Sequence, residues 1–333
     1  MRSIFMTLQT RRLATACGLL ASVALATSAC GSDDSKGPGA SGNGSGEISS
    51  VTAAATGINT PFDATPSPDG SAIYFTSLGE ESGGLFRVAA GGGTPTLLAE
   101  GFSSPLSVVA SLDGKTVFVA DAAWEREESI GDEPVGAVFS VPEAGGEKAA
   151  VSGTSGYAPR GLDLVKVGDR EMIYFTGVDP ADGLRGVFRV GSGGGSVELV
   201  RKQGLVDPSG VAVAKDGAVY VSDTLSGLAN SSVVRIRGDA MDTLISDVRV
   251  GYPAGIALTQ DEASLFISAL APTEASAQVY KVAVATGEFA VISDGIAANT
   301  ESAGVHRAHD TDVYAWADAA TPAQGGGKVY LLK

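Results

Sequence analysis

The chain has 333 residues, and 23 Lys and Arg against 38 Asp and Glu give it a formal net charge of −15. This acidic balance excludes a nucleic-acid partner, because affinity for phosphate backbones depends largely on Lys and Arg. Hydrophobic residues make up 44% of the chain and charged residues only 18%, which excludes an intrinsically disordered protein. The 45 glycines favour short strands and tight turns over long surface helices.

Residues 1–29 are predicted to be a signal peptide. Arginines precede an apolar run from residue 13 to residue 26, which is shorter than the roughly 18–20 residues that span a bilayer. Small residues and then Cys30 follow, and this arrangement resembles the lipobox of bacterial lipoproteins. The resemblance implies that Cys30 is lipidated, becomes the mature N-terminus and anchors the chain to a bacterial membrane. An ordinary secretory signal, cleaved after Ala26 or Ala29, is the alternative.

A linker is predicted from residue 30 to residue 47. Residues 31–46 are Gly, Ser and Asp with almost no apolar side chain, so this stretch has nothing to bury and is expected to be a flexible tether. The expected location is outside the cytoplasm, facing the periplasm or the cell surface. Gly31 and Ser32 follow Cys30 instead of the Asp that often retains Gram-negative lipoproteins at the inner membrane, which favours the outer membrane.

One pattern recurs six times between residue 48 and residue 333. Each copy has short segments rich in β-branched residues, separated by turn residues such as Asp-Gly. The second segment of every copy centres on an aromatic residue: Tyr74, Phe118, Tyr174, Tyr220, Phe266 and Tyr314. A period of about 40–50 residues with four strands per unit is typical of a β-propeller. We therefore predict an all-β fold, a six-bladed β-propeller of four-stranded blades.

The two ends of the repeat region predict how the ring closes. The sixth unit has strands near 304–308, 312–317 and 328–332, and its fourth strand is missing. Residues 48–56 form a strand-like segment that has no place in the first unit. The N-terminal strand 48–56 is therefore expected to pair with the C-terminal strand 328–332.

Three aspartates are candidate metal ligands at one mouth of the central channel. In a propeller the first strand of each blade leaves this mouth and the second returns to it, which places Asp63, Asp121 and Asp223 there. Carboxylates that converge repel each other, and a hard cation such as Ca²⁺ relieves that repulsion. The alternative is that Asp121 and Asp223 cap the bends between strand and loop.

Two further residues are candidates for ligand binding. Trp124 lies among acidic residues in the long connection 121–136, where it either contacts a ligand or packs on its own loop. His306 falls in the sixth inner strand, near the predicted carboxylates, and is either a ligand contact or general base or a structural residue.

The segment from Pro208 to Asp223, with its Pro-x-Gly-Val-Ala, Asp-Gly and Val-Tyr-Val-Ser-Asp elements, resembles an NHL repeat. It is also similar to blades of the SMP-30/gluconolactonase group of six-bladed propellers. That group holds a divalent cation at its channel with a Glu of the first blade, an Asn midway and a later Asp. Here Asp63 stands in the first blade instead of Glu, and Asp223 matches the later Asp.

Two functions follow from these expectations. The favoured one is a membrane-tethered binding or scaffold module, whose acidic long-loop face holds a protein, a glycan or a small ligand. The alternative is a calcium-dependent lactonase or esterase with Asp63, Asp121 and Asp223 around the metal. A fold alone does not distinguish a binding protein from an enzyme.

Overall fold

The computed structural model describes residues 48–79, 82–122, 136–224, 231–250, 255–270, 277–292 and 302–333. These residues form antiparallel strands joined by turns, with one short 3₁₀ helix at Pro322–Gln324. Among the residues so described, no helix has the length and apolar character needed to cross a membrane.

The strands follow one another in groups, each of which is one blade. A first strand precedes blade 1: β1 (Val51–Ile58). Blades 1 to 3 comprise β2 (Pro61–Pro66), β3 (Ala72–Ser77), β4 (Gly83–Ala89) and β5 (Thr96–Phe102); β6 (Pro105–Ala110), β7 (Thr116–Asp121), β8 (Ala137–Pro142) and β9 (Ala149–Ala150); β10 (Leu162–Val167), β11 (Arg170–Val178), β12 (Arg185–Gly191) and β13 (Glu198–Arg201). Blades 4 to 6 comprise β14 (Pro208–Val213), β15 (Val219–Asp223), β16 (Ser231–Arg237) and β17 (Ala240–Val250); β18 (Ile256–Leu258), β19 (Ser264–Leu270), β20 (Ala277–Ala283) and β21 (Phe289–Val291); β22 (Ser302–Arg307), β23 (Tyr314–Asp318) and β24 (Gly327–Leu332).

The blades form a six-bladed β-propeller, as the repeat pattern predicts. Blades 1, 2 and 3 are separate four-stranded antiparallel sheets. Blades 4 and 5 differ, because the end of β17 continues past its own blade and pairs with the end of β19. Those two blades therefore share one continuous eight-stranded sheet.

The ring closes where its two ends meet. β1 pairs antiparallel with β24, from Val51 opposite Leu332 to Ile58 opposite Gly327. The predicted closure by residues 48–56 and 328–332 is confirmed, and the paired strands are Val51–Ile58 and Gly327–Leu332. Sheet order β1–β24–β23–β22 makes the N-terminal strand the fourth strand of blade 6.

Apolar side chains between neighbouring blades hold the ring together. Tyr74 of blade 1, for example, is buried in one cluster with Val108 and Val119 of blade 2. All six repeating aromatics are buried to the same degree: Tyr74, Phe118, Tyr174, Tyr220, Phe266 and Tyr314. Burying one large apolar side chain stabilises a fold by about 1.5–3 kcal/mol, so the repeating aromatics are a principal source of stability.

The two ends of the ring have different connections. At one end, here called the hairpin face, tight turns join the first and second strands of the blades, as at Asp69-Gly70 and Asp113-Gly114. Gly70 and Gly114 have φ values of 72° and 69°, which favour glycine. At the opposite end, here called the loop face, second strands end and third strands begin, as at Asp121 and Ala137.

Candidate site at the central channel

Inner strands of neighbouring blades approach each other very closely around the channel. A Cβ atom on Gly255 would lie 1.9 Å from the backbone nitrogen of Val305, and one on Gly304 would lie 1.5 Å from Oδ1 of Asp63. The small cavity that remains has room for about one water molecule. Its wall includes Asp63, Ser107, Arg160, Leu162, Ile256 and His306.

Asp63 is the centre of a hydrogen-bond network that joins three blades. Its Oδ1 accepts a hydrogen bond from the backbone N–H of Ala64 at 2.9 Å. Its Oδ2 accepts bonds from the Ser107 hydroxyl at 2.6 Å and from the backbone N–H of Val108 at 2.9 Å. Nε2 of His306 lies 2.8 Å from the same oxygen. Only 1% of the Asp63 surface is exposed, so these neighbours provide the hydrogen bonds that its buried carboxyl group requires.

His306 lies across the seam between blade 6 and blade 1. The structure brings this predicted residue and Asp63 together in a buried ion pair. Burial lowers the pKa of His306, but the opposing charge and hydrogen bond of Asp63, with the charge of Asp163, outweigh burial and raise that pKa above its ordinary value. The raised pKa shifts His306 towards its protonated form relative to a free histidine.

Asp163 repeats part of this arrangement two blades further on. Its Oδ1 accepts a hydrogen bond from the backbone N–H of Leu164 at 2.8 Å, and its Oδ2 accepts one from Val213 of blade 4 at 2.7 Å. Asp63 makes the same two contacts, to the following residue and to the inner strand of the next blade. An inner-strand aspartate thus connects two neighbouring blades at two places in the ring, between blades 1 and 2 and between blades 3 and 4.

Ser107 and Arg160 also belong to the site, although the sequence analysis did not select them. The Ser107 hydroxyl donates to Asp63 and accepts a hydrogen bond from the backbone N–H of Leu162 at 3.1 Å, which extends the network to blade 3. The buried Arg160 pairs with Asp207, whose carboxylate also lies 3.3 Å from Arg185. The available signal for Ser107 was its position two residues after Pro105, which matches that of Asp63 after Pro61.

Asp121 and Asp223 lie at the loop-face ends of their second strands and accept hydrogen bonds from backbone N–H groups of the segments that precede their blades' first strands. Asp121 accepts hydrogen bonds from Ser103 and Ser104 N–H groups at 2.9 and 2.7 Å. Asp223 accepts bonds from Val206 and Asp207 N–H groups at 3.0 and 2.7 Å. Each carboxylate caps the segment that leads into its blade, which is the structural role considered as the alternative in the sequence analysis.

The three predicted calcium ligands are engaged by hydrogen-bond donors of the protein. Calcium takes six to eight oxygen ligands, whereas the carboxylates of Asp63, Asp121 and Asp223 already accept hydrogen bonds from N–H and O–H groups. In the described part of the chain, no three His, Cys, Asp or Glu side chains are grouped so that they could hold a metal ion. A calcium role for these residues stays a prediction. Cys30 and Trp124 lie outside the described residues.

The fold is similar to solved structures of several functions. A gluconolactonase from Xanthomonas campestris superposes with a TM-score of 0.57 at 14% identity, over 86% of this chain and 90% of that one. A chain of the nidogen/laminin complex gives 0.56 at 14% identity, over 74% and 84%. TolB from Acinetobacter baumannii gives 0.52 at 13% identity, over 69% of this chain and 53% of that one. Such identities establish the shared propeller fold alone.

Sequence comparisons do not assign the chain to a family. No protein-family model matches the chain, and no curated protein matches it.

Proposed function

We propose that this protein is a membrane-tethered, extracytoplasmic β-propeller that binds a partner through its loop face. The observation that carries the proposal is the narrowness of the channel: the cavity lined by residues of all six blades has room for about one water molecule. Asp63 contacts His306 of blade 6 and Ser107 of blade 2. So little space among the described inner strands suits a rigid scaffold better than a chamber for a substrate.

The loop face carries long connections of the kind that often bind partners. Connections between second and third strands differ widely in length, from residues 78–82 in blade 1 to residues 122–136 in blade 2. The sequence of 122–136 contains five Asp and Glu and one Arg around Trp124. Variable connections on a rigid framework are where binding residues concentrate. The acidic composition favours a protein, glycan or small ligand that presents positive charge.

Export and anchorage are part of the proposal and rest on the sequence. A basic and apolar leader precedes Cys30, and residues 31–46 have the composition of a flexible linker. A lipid on Cys30 would keep the propeller at the membrane while leaving its faces accessible to other molecules. The outer membrane is the proposed membrane.

Face-specific photocrosslinking in the source cells tests the binding role. Ala181 is an exposed turn residue on the loop face, and Ala285 is its match on the hairpin face. With a photoreactive residue at either position, adducts are expected from position 181 and not from 285. Neutralising the acidic connection with Glu125→Gln, Glu127→Gln and Glu128→Gln should reduce the yield several-fold. Equal adducts from both faces, or none from 181, would overturn the binding role.

The second candidate function is a calcium-dependent lactonase or esterase, which the likeness to a gluconolactonase fold favours. Hydrolysis of δ-gluconolactone and thermal melting with and without EDTA test it on the purified protein. A metal-dependent enzyme would show turnover that EDTA abolishes and a melting temperature that rises with Ca²⁺, because a ligand of the native state stabilises it. Unchanged melting and no turnover would eliminate this candidate.

A further inference from the structure

The chain enters the propeller at the hairpin face. Val51 begins β1 opposite Leu332, and Leu332 in turn lies opposite Tyr314. Tyr314 starts β23 directly after the turn between the first and second strands of blade 6. That turn lies on the hairpin face, since Asp310 donates its backbone N–H to the carbonyl oxygen of Pro68 in the corresponding turn of blade 1.

Hydrogen bonds hold this entry point in place. The backbone N–H groups of Ser49 and Ser50 both donate to the carbonyl oxygen of Lys333, at 2.5 and 2.9 Å, and Lys333 donates back to Ser50 at 3.0 Å. Ile48 packs against the apolar cluster that contains Leu332 and Tyr330. The position from which any preceding segment departs is therefore defined, and it is opposite the loop face.

We infer that the hairpin face is the membrane-proximal face and that the loop face presents its binding surface away from the membrane. The inference rests on the proposed lipid anchor at Cys30. About 20 residues separate Cys30 from Val51, and a Gly-rich chain of that length has a root-mean-square extension of about 25 Å. A strand of six residues spans about 20 Å, so the loop face is farther from the bilayer by a comparable distance.

The charge of the hairpin face indicates a stand-off from the membrane instead of direct contact. Its turns carry a series of acidic residues, Asp69, Asp113, Asp216, Asp261 and Asp312, of which Asp113 and Asp216 are paired with Lys115 and Arg237. Lipid surfaces in bacteria are anionic, and acidic side chains are not attracted to them. The loop face is then free to bind a macromolecule that approaches from the surrounding compartment, and the expected partner is not embedded in the same membrane.

Energy transfer from single labelled positions to the bilayer tests this orientation. The mature chain is expected to have no free thiol, because Cys17 lies in the signal peptide and Cys30 carries lipid. Ala181→Cys and Ala285→Cys therefore give matched loop-face and hairpin-face labels on the lipidated mature protein. Each labelled protein is bound to vesicles of phosphatidylethanolamine and phosphatidylglycerol that contain an acceptor lipid. Transfer is expected to be several-fold stronger from position 285 than from position 181.

Two controls separate failure of the orientation from failure of the anchor. Cys30→Ser should abolish vesicle binding, and a wild-type protein that does not bind vesicles would overturn both the anchor and the orientation. Vesicle-bound protein with equal transfer from both positions, or with stronger transfer from 181, would overturn the orientation alone. Deleting residues 33–44 shortens the tether and should widen the difference between the two labels.

Discussion

Two inner-strand aspartates, Asp63 and Asp163, each join neighbouring blades, but their surroundings differ. Asp63 and Asp163 each accept a hydrogen bond from the following residue and one from the inner strand of the next blade. Asp63 additionally contacts Ser107 and His306, and it links blade 6, blade 1 and blade 2. The comparison teaches that an inner-strand aspartate can bridge neighbouring blades, and that His306 joins this bridge at the seam between blade 6 and blade 1.

The largest expected effect concerns the closure of the ring within blade 6. Deleting residues 48–58 removes β1, exposes the edge of β24 and uncovers an apolar cluster that includes Tyr330 and Leu332. We expect loss of the cooperative melting transition, measured by circular dichroism. Deleting residues 31–46 is the control and should leave the melting temperature unchanged. Equal melting of the two deletion variants would contradict closure as a main source of stability.

The second test compares the two aspartates directly. Asp63→Asn leaves His306 buried without its counterion, and breaking a buried ion pair costs about 3–5 kcal/mol. Asp163→Asn weakens hydrogen bonds to two N–H groups and should cost about 1 kcal/mol. Urea denaturation of both variants measures the difference in the free energy of unfolding. Similar losses would show that the histidine contact adds nothing to the bridge.

A smaller loss is expected from crowding the same seam. Gly304→Ala would place a Cβ atom 1.5 Å from Oδ1 of Asp63, so the carboxylate or the strand must move. Overpacking of this kind typically costs about 1–3 kcal/mol. Gly193→Ala is the matched control, because nothing lies within 4 Å of its added Cβ. The prediction fails if the two variants unfold at the same urea concentration.

The smallest expected effect is a pH dependence of stability that arises from the contact between His306 and Asp63. The pKa of His306 is raised in the fold, with Asp63 and Asp163 facing the ring and Arg160 in the same cavity wall. Its stabilising contribution is therefore complete below the ordinary pKa of about 6.5 and is lost as pH rises through the raised value. Melting temperatures from about pH 5 to 9 should fall more for the wild type than for His306→Gln. Parallel curves would refute the contribution.

Much of the fold could be predicted from the sequence because it depends on local repetition. The aromatic of each second strand is in phase with the turns around it, and this phase alone indicates equivalent blades. The closing strand was predictable because blade 6 lacks a fourth strand and residues 48–56 had no other place. The continuity of blades 4 and 5 was not predictable, since it depends on how far β17 extends beyond its own blade.

The candidate site was only partly predictable. Asp63 and His306 could each be selected by residue type and strand position, but their contact joins residues 243 apart in the chain. Asp121 and Asp223 accept hydrogen bonds from nearby backbone N–H groups, and the sequence does not show these contacts. A pattern of acidic residues is the same whether the carboxylates coordinate a cation or cap a turn. Only the directions of the side chains distinguish these roles.

The pairing of β1 with β24 also constrains the order of folding. A chain that is synthesised N-terminus first delivers Val51–Ile58 long before Gly327–Leu332. Until then the leading strand has an unsatisfied edge, which is a surface prone to aggregation. The propeller thus acquires its last and most distant contacts only when synthesis is complete, and a chaperone that shields that edge would speed maturation.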